Sequence, residues 1–142
     1  MSDIEKILTG SPVFGRVVAA RDDGSISFRA TELGYLVRTV RGDKMPTVQR
    51  LFDEFAAAFQ FPDYFGENKD AFDECMRDLD EFVGAAPGYV VVVRAADQLL
   101  SREPEEKRWF VEAMDFYAQE WAKKPDPVLF KVVEISRALR AS

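Results

Sequence analysis

The residues of this chain best placed to do chemistry are carboxylates. Between Asp63 and Glu81 stand Asp63, Glu67, Asp70, Asp73, Glu74, Asp78, Asp80 and Glu81, opposed only by Lys69 and Arg77. This segment holds eight of the 25 acidic and two of the 19 basic residues, leaving 17 of each elsewhere, so the whole net charge of −6 sits in it. Asp70 and Glu74 are four apart, which on a helix puts them on one face with Cβ atoms roughly 5–6 Å apart. Carboxylates presented this way suit acid–base catalysis, coordination of Mg²⁺ or Ca²⁺, or capture of basic groups on another macromolecule. The metal reading, built on Asp70, Asp73, Glu74 and Asp78, fits poorly. The spacing lacks the alternating oxygen ligands and sixth-position Gly of an EF-hand loop, and a helix face offers ligands in a row without surrounding a cation.

Two absences narrow the choice further. The chain has no His, which removes the usual general base, the Ser-His-Asp and Cys-His arrangements and the commonest metal ligand. Its single Cys, Cys75, excludes an intramolecular disulfide and a Cys-rich zinc site. A non-enzymatic protein without metal or cofactor is expected. The negative charge argues against direct binding of nucleic acid or an anionic membrane, since both repel it. Tyr89 to Val93 is an apolar run of only five residues, far short of the roughly 20 needed to span a bilayer. The first residues, Met1-Ser2-Asp3-Ile4-Glu5-Lys6, do not read as a signal peptide, so a cytoplasmic location is expected.

At 142 residues the chain has the size of one domain, and a 47% apolar content is ample for a core. Ser2 with Glu5 resembles a capping box for a short helix over 3–9. Val13–Ala20 and Ser25–Arg29, flanking Asp22-Asp23-Gly24, read as a β-hairpin. Tyr35–Val40 is β-rich. Val48, Leu51, Phe52, Phe55 and Phe59 follow the apolar rhythm of a helix, with Pro46 in its first turn. Asn68 is the expected N-cap of a second helix running to about Phe82, its apolar side made of Ala71, Phe72, Cys75, Met76 and Leu79. Tyr89–Val93 is apolar on both faces, as in a central parallel strand. A turn or two of helix over Asp97–Ser101 follows, then a long helix from Pro104 to about Lys123 with Phe110, Ala113, Met114, Tyr117 and Trp121 on one side, and a last strand over Val128–Glu134. From Tyr35 onward the order β-α-α-β-α-α-β favours an α/β fold, a short parallel sheet packed by helices.

The stretch Pro62-Asp63-Tyr64-Phe65-Gly66-Glu67-Asn68-Lys69-Asp70-Ala71, followed by an acidic helix carrying Cys75 and Met76, resembles the barstar family of intracellular ribonuclease inhibitors. The family pattern is Pro-x-aromatic-aromatic-Gly-x-Asn-x-Asp-Ala, then an acidic helix with a Cys and an apolar residue. The order of elements over 34–134 is similar to the barstar fold, a three-layer arrangement with a three-stranded parallel sheet. Residues 34–142 are therefore expected to form a barstar-like domain and 1–33 an N-terminal extension of short helix and hairpin.

The resemblance implies a protein that blocks the basic active site of a small bacterial ribonuclease of the barnase type, its carboxylates standing where RNA phosphates would. It implies contact roles for Tyr64, which matches a residue packing on the enzyme's catalytic His, for Asp70, and for Glu74 at the dominant acidic position, where the prototype has Asp. Gly66 and Asn68 match the tight loop and the cap, and Asp73 stands where the prototype has an aromatic residue. Asp63, Asp78, Asp80 and Glu81 read as steering or solubility charges. No residue of the penultimate helix matches the family's acidic contact there, Glu112, Asp115 and Glu120 being the candidates. The expected partner is a basic ribonuclease, bound one-to-one by a monomer. The alternative is the nuclease part of an antibacterial toxin, which would make the chain an immunity protein. Phe65 is assigned to the core because Tyr64 alone of the pair has a polar tip to leave in water. Cys75 reads as a buried small hydrophobe, and Gly66 as a backbone position that other residues resist.

Overall fold

The computed structural model describes residues 7–8, 14–17, 22–62 and 65–136. Strands β1 (Phe14–Val17), β2 (Leu36–Arg41), β3 (Gly88–Arg94) and β4 (Leu129–Ile135) form one parallel sheet in the order β1-β4-β3-β2. The helices are α1 (Asp22–Glu32), α2 (Val48–Phe59), α3 (Lys69–Arg77), the short α4 (Leu79–Phe82) and α5 (Lys107–Ala122). The three parallel strands expected from the sequence are β2, β3 and β4; β1 adds a fourth at the β4 edge, with Phe14 opposite Val132.

Strand β3 lies between two neighbours and is buried from Gly88 to Val93. Its alternate side chains enter two separate cores. Tyr89, Val91 and Val93 join the residues of α2, α3 and α5 on one face, while Val90 and Val92 join Ile26, Ala30, Val133 and Ile135 on the other. The result is three layers, with α1 on the second face together with the helical residues Ile7 and Leu8.

Two expectations need correcting. Ser25–Arg29 is not the second strand of a hairpin but part of α1. The alternation Ser25-Ile26-Ser27-Phe28 imitates a strand that would put Ile26 and Phe28 on one side. Instead Ile26 and Ala30, four apart, face the sheet, and Phe28 points away, 68% exposed. The apolar second face of a parallel sheet needs a helix to cover it, and this demand outweighs the local Asp-Gly turn signal. The second correction concerns the acidic helix, which stops at Arg77. Asp78 leaves helical geometry with φ −120 and ψ 28, and α4 starts afresh. A carboxylate at a helix C-terminus faces the negative end of the dipole, whereas Asp80 and Glu81 fall in the first turn of α4, where it favours them. The helix expected over 3–9 lies outside the described residues except for Ile7 and Leu8.

Candidate protein-binding site

Asn68 caps α3 as its type and position predict. Its backbone is extended, and its side-chain oxygen accepts a hydrogen bond from the Ala71 N–H at 2.8 Å. Its amide nitrogen donates to the Gly66 carbonyl at 3.3 Å, tying the loop to the helix. Gly66 does not have the left-handed backbone that its residue type suggests. That conformation belongs to Glu67, at φ 52, whose carboxylate accepts from Gln49 at 2.9 Å. Gly66 is constrained by space, since a Cβ there would sit 3.2 Å from the Asn68 amide nitrogen and 3.5 Å from the Ala71 Cβ. Phe65 packs on the core as expected, edge-on to Phe52 at 5.9 Å and to Phe61 at 5.1 Å. Tyr64 and Asp63 lie outside the described residues.

Phe72 seats the acidic helix. Its ring is fully buried, 5.4 Å from Phe52 and 5.3 Å from Phe55 of α2, and 5.9 Å from Trp109 and 6.1 Å from Tyr117 of α5. Cys75 and Met76 are buried beside it, and burial, then the nearby carboxylates of Asp78 and Glu74, push the Cys75 thiol pKa above its ordinary value. Polar contacts then fix α3 along α5. The Trp121 indole donates to the Met76 carbonyl at 3.0 Å in a buried setting. The buried Tyr117 hydroxyl donates to an Asp73 carboxylate oxygen, and burial first, then this bond, raise the Tyr117 pKa far above the usual range for a phenol.

The same seam absorbs the segment's two cations. Lys69 pairs with Glu106 at 2.9 Å and lies over the Trp109 ring at 4.8 Å. Arg77 donates to the Asp73 carbonyl at 3.3 Å and lies over the Phe116 ring at 5.9 Å. Asp70 and Glu74 lie at the surface, Glu74 on the rim of a cleft between α3 and α5. Both are exposed, and no hydrogen bond or ion pair engages either carboxylate among the described residues. The structure thus brings Asn68, Gly66, Asp70 and Glu74 onto one edge of the molecule. Asp73 differs from the rest: it is half-buried and turned toward α5, where Tyr117 takes one of its oxygens.

At Glu74 the edge opens into this cleft, of about 430 Å³, between the C-terminal ends of α3 and α5, lined by Glu74, Arg77, Asp78, Glu120, Lys123 and Lys124. The Asp73–Tyr117 bond and the exposed Phe116 were not legible at the sequence level, because both depend on how α5 lies against α3. Among the described residues no group of three or more metal-ligating side chains comes together, and no helix is long and apolar enough to cross a membrane.

Fold and site together define an α/β protein that holds an acidic helix against its body with the carboxylates of Asp70 and Glu74 exposed. Residues 35–133 match the family model described as Barstar (barnase inhibitor), and the chain belongs to the barstar family. Strand β1 and helix α1 precede the matched region. A search of curated proteins finds no match.

Proposed function

We propose that the chain is an inhibitor of a small basic ribonuclease of the barnase type, acting by occupying its active site and not by catalysis. One observation carries this reading. The two basic residues of the acidic segment are tied inward to α5, while Asp70 and Glu74 stand exposed and unpaired one helical turn apart. An active site that grips RNA phosphates with Arg and Lys meets the same charge and two-pronged geometry in these carboxylates. Their helix is held by Phe72, Tyr117 and Trp121, so little ordering cost remains at binding. Tyr64 supplies the aromatic contact, Gly66 and Asn68 set the loop, and Asp73 acts through Tyr117 to hold α3 in place. Opposite fields speed the encounter, an effect for which barnase and barstar are themselves a standard example. The chain works inside the cell as a monomer in a one-to-one complex.

A second target class has support in two departures from the family pattern. Glu74 carries its carboxylate a methylene further out than Asp would, and Asp73 spends itself on Tyr117 where the family has an aromatic residue. Both suit a basic pocket shaped differently from that of barnase, as in the nuclease part of an antibacterial toxin.

The test is a titration into barnase with RNA cleavage as readout and a pancreatic-type ribonuclease as control. Stoichiometric inhibition of barnase alone is expected. Glu74→Ala should weaken it by about 3 kcal/mol, over a hundredfold, because the enzyme's cation is left buried without its partner. Absence of inhibition at micromolar protein would sink the barnase-type reading and transfer the weight to the toxin nuclease.

A further inference from the structure

Phe116 is 42% exposed on α5, one of three large apolar side chains so exposed among the described residues. It belongs to a stripe of Trp109, Ala113, Phe116 and Glu120 that runs along the α3 side of the helix. Trp109 is half-buried and Ala113 buried, and at Phe116 the stripe emerges into water. Glu112 and Glu120 stand four residues to either side and so flank the ring on the helix surface, with Glu112 weakly paired to Arg108 at 3.6 Å and Glu120 to Lys123 at 3.4 Å. Across the seam, the Arg77 guanidinium lies over the ring at 5.9 Å. An aromatic face bordered by carboxylates attracts cations, and here one cation of the chain itself already rests on it. Phe28 offers a contrast: it is more exposed, at 68%, yet carries no cation over its ring among the described residues.

We propose that Phe116 is a second anchor of the docking surface, one that receives an Arg or Lys side chain of the basic ribonuclease while Arg77 slides off the ring. The proposal rests on the inhibitor reading above. It adds an aromatic contact on α5, between Glu112 and Glu120, and assigns Arg77 an opposing role. In the free protein Arg77 shields the ring and places a positive charge where a positive partner must come. Partner recognition therefore includes the exchange of one guanidinium for another on the same ring.

The experiment follows association and dissociation of the full-length chain with barnase. Phe116→Ala should dissociate about tenfold faster, the loss expected of one desolvated cation–ring contact. Phe116→Leu should behave like the Ala variant, since it keeps apolar bulk but loses the ring, and Phe116→Trp should hold the wild-type rate. Arg77→Ala should associate several-fold faster. Phe28→Ala, on the other side of the sheet, should match the wild type. The proposal fails if Phe116→Ala or Phe116→Leu dissociates within twofold of the wild type while Glu74→Ala in the same assay loses binding. A wild-type chain that does not bind barnase overturns the inhibitor reading, and this extension falls with it.

Discussion

The two faces of the sheet are built from different materials. On the site face the core is ringed: Phe72 of α3 touches Phe52, Phe55, Trp109 and Tyr117, and polar tips of Tyr117 and Trp121 bond back to α3. On the other face it is largely aliphatic, with Leu8, Ile26, Ala30, Val90, Val92 and Val133 among its buried residues. Aliphatic burial is non-directional and fixes little beyond the exclusion of water. Rings with hydrogen-bonding tips also fix rotation and translation of the helix they hold. The proposed presentation of two carboxylates at a set spacing would gain from the second kind of packing on that face alone.

This contrast can be broken most severely at Phe72. Phe72→Ala should cost about 3–5 kcal/mol of stability, and because the ring seats α3, the folded fraction should also bind barnase more weakly. Ile26→Ala should cost about 2–4 kcal/mol yet leave the affinity of the folded fraction at the wild-type value. Urea unfolding paired with calorimetric titration reads both quantities, and equal losses of affinity in the two variants would erase the distinction between the faces. A smaller effect is expected from Tyr117→Phe. It leaves the half-buried Asp73 without its donor, for about 1–2 kcal/mol in unfolding and a measurably faster dissociation of the complex.

The smallest effect is a pH dependence of opposite sign on the two faces. Burial lowers the pKa of Lys131 on the second face below its ordinary 10.5, so its contribution grows with rising pH, whereas that of the site face is lost. Burial raises the pKa of Cys75 above its ordinary 9.0 and those of Tyr89 and Tyr117 above 10.0. All three hold their protons more tightly folded than unfolded. Their contribution is therefore complete below pH 9 and declines as pH rises through 9 and 10, where the unfolded chain releases the protons first. Thermal melts between pH 8 and 11 should show this decline, and Tyr117→Phe should flatten it. The same slope in both proteins would remove Tyr117 from the account.

What could be read from the residues was what repeats along one element. The apolar stripes of α2 and α5, the Asn68 cap and the double-sided burial of Tyr89–Val93 are local patterns, and the structure reproduces them. The shared face of Asp70 and Glu74 follows from helical spacing alone. Helix α1 escaped because four residues of Ser25-Ile26-Ser27-Phe28 alternate like a strand, and only the uncovered sheet face decides otherwise. The break at Asp78 escaped because apolar residues continue through it to Leu79. Asp73 escaped because its partner lies 44 positions away on another helix. At Gly66 the residue type suggests backbone handedness, but what constrains the position is its close approach to the Asn68 amide.

The pairing of β1 with β4 bears on how the molecule is made. Phe14 sits beside Val132, so the first described strand finds its partner only in the last. During synthesis the early segment must wait, its edge unmatched, until β4 has left the ribosome. Contacts between residues so far apart in sequence form slowly, and unpaired strand edges invite association in the meantime. For the proposed inhibitor, needed as soon as its enzyme is present, this means a delay between translation and readiness, so that its supply is best kept ahead of demand.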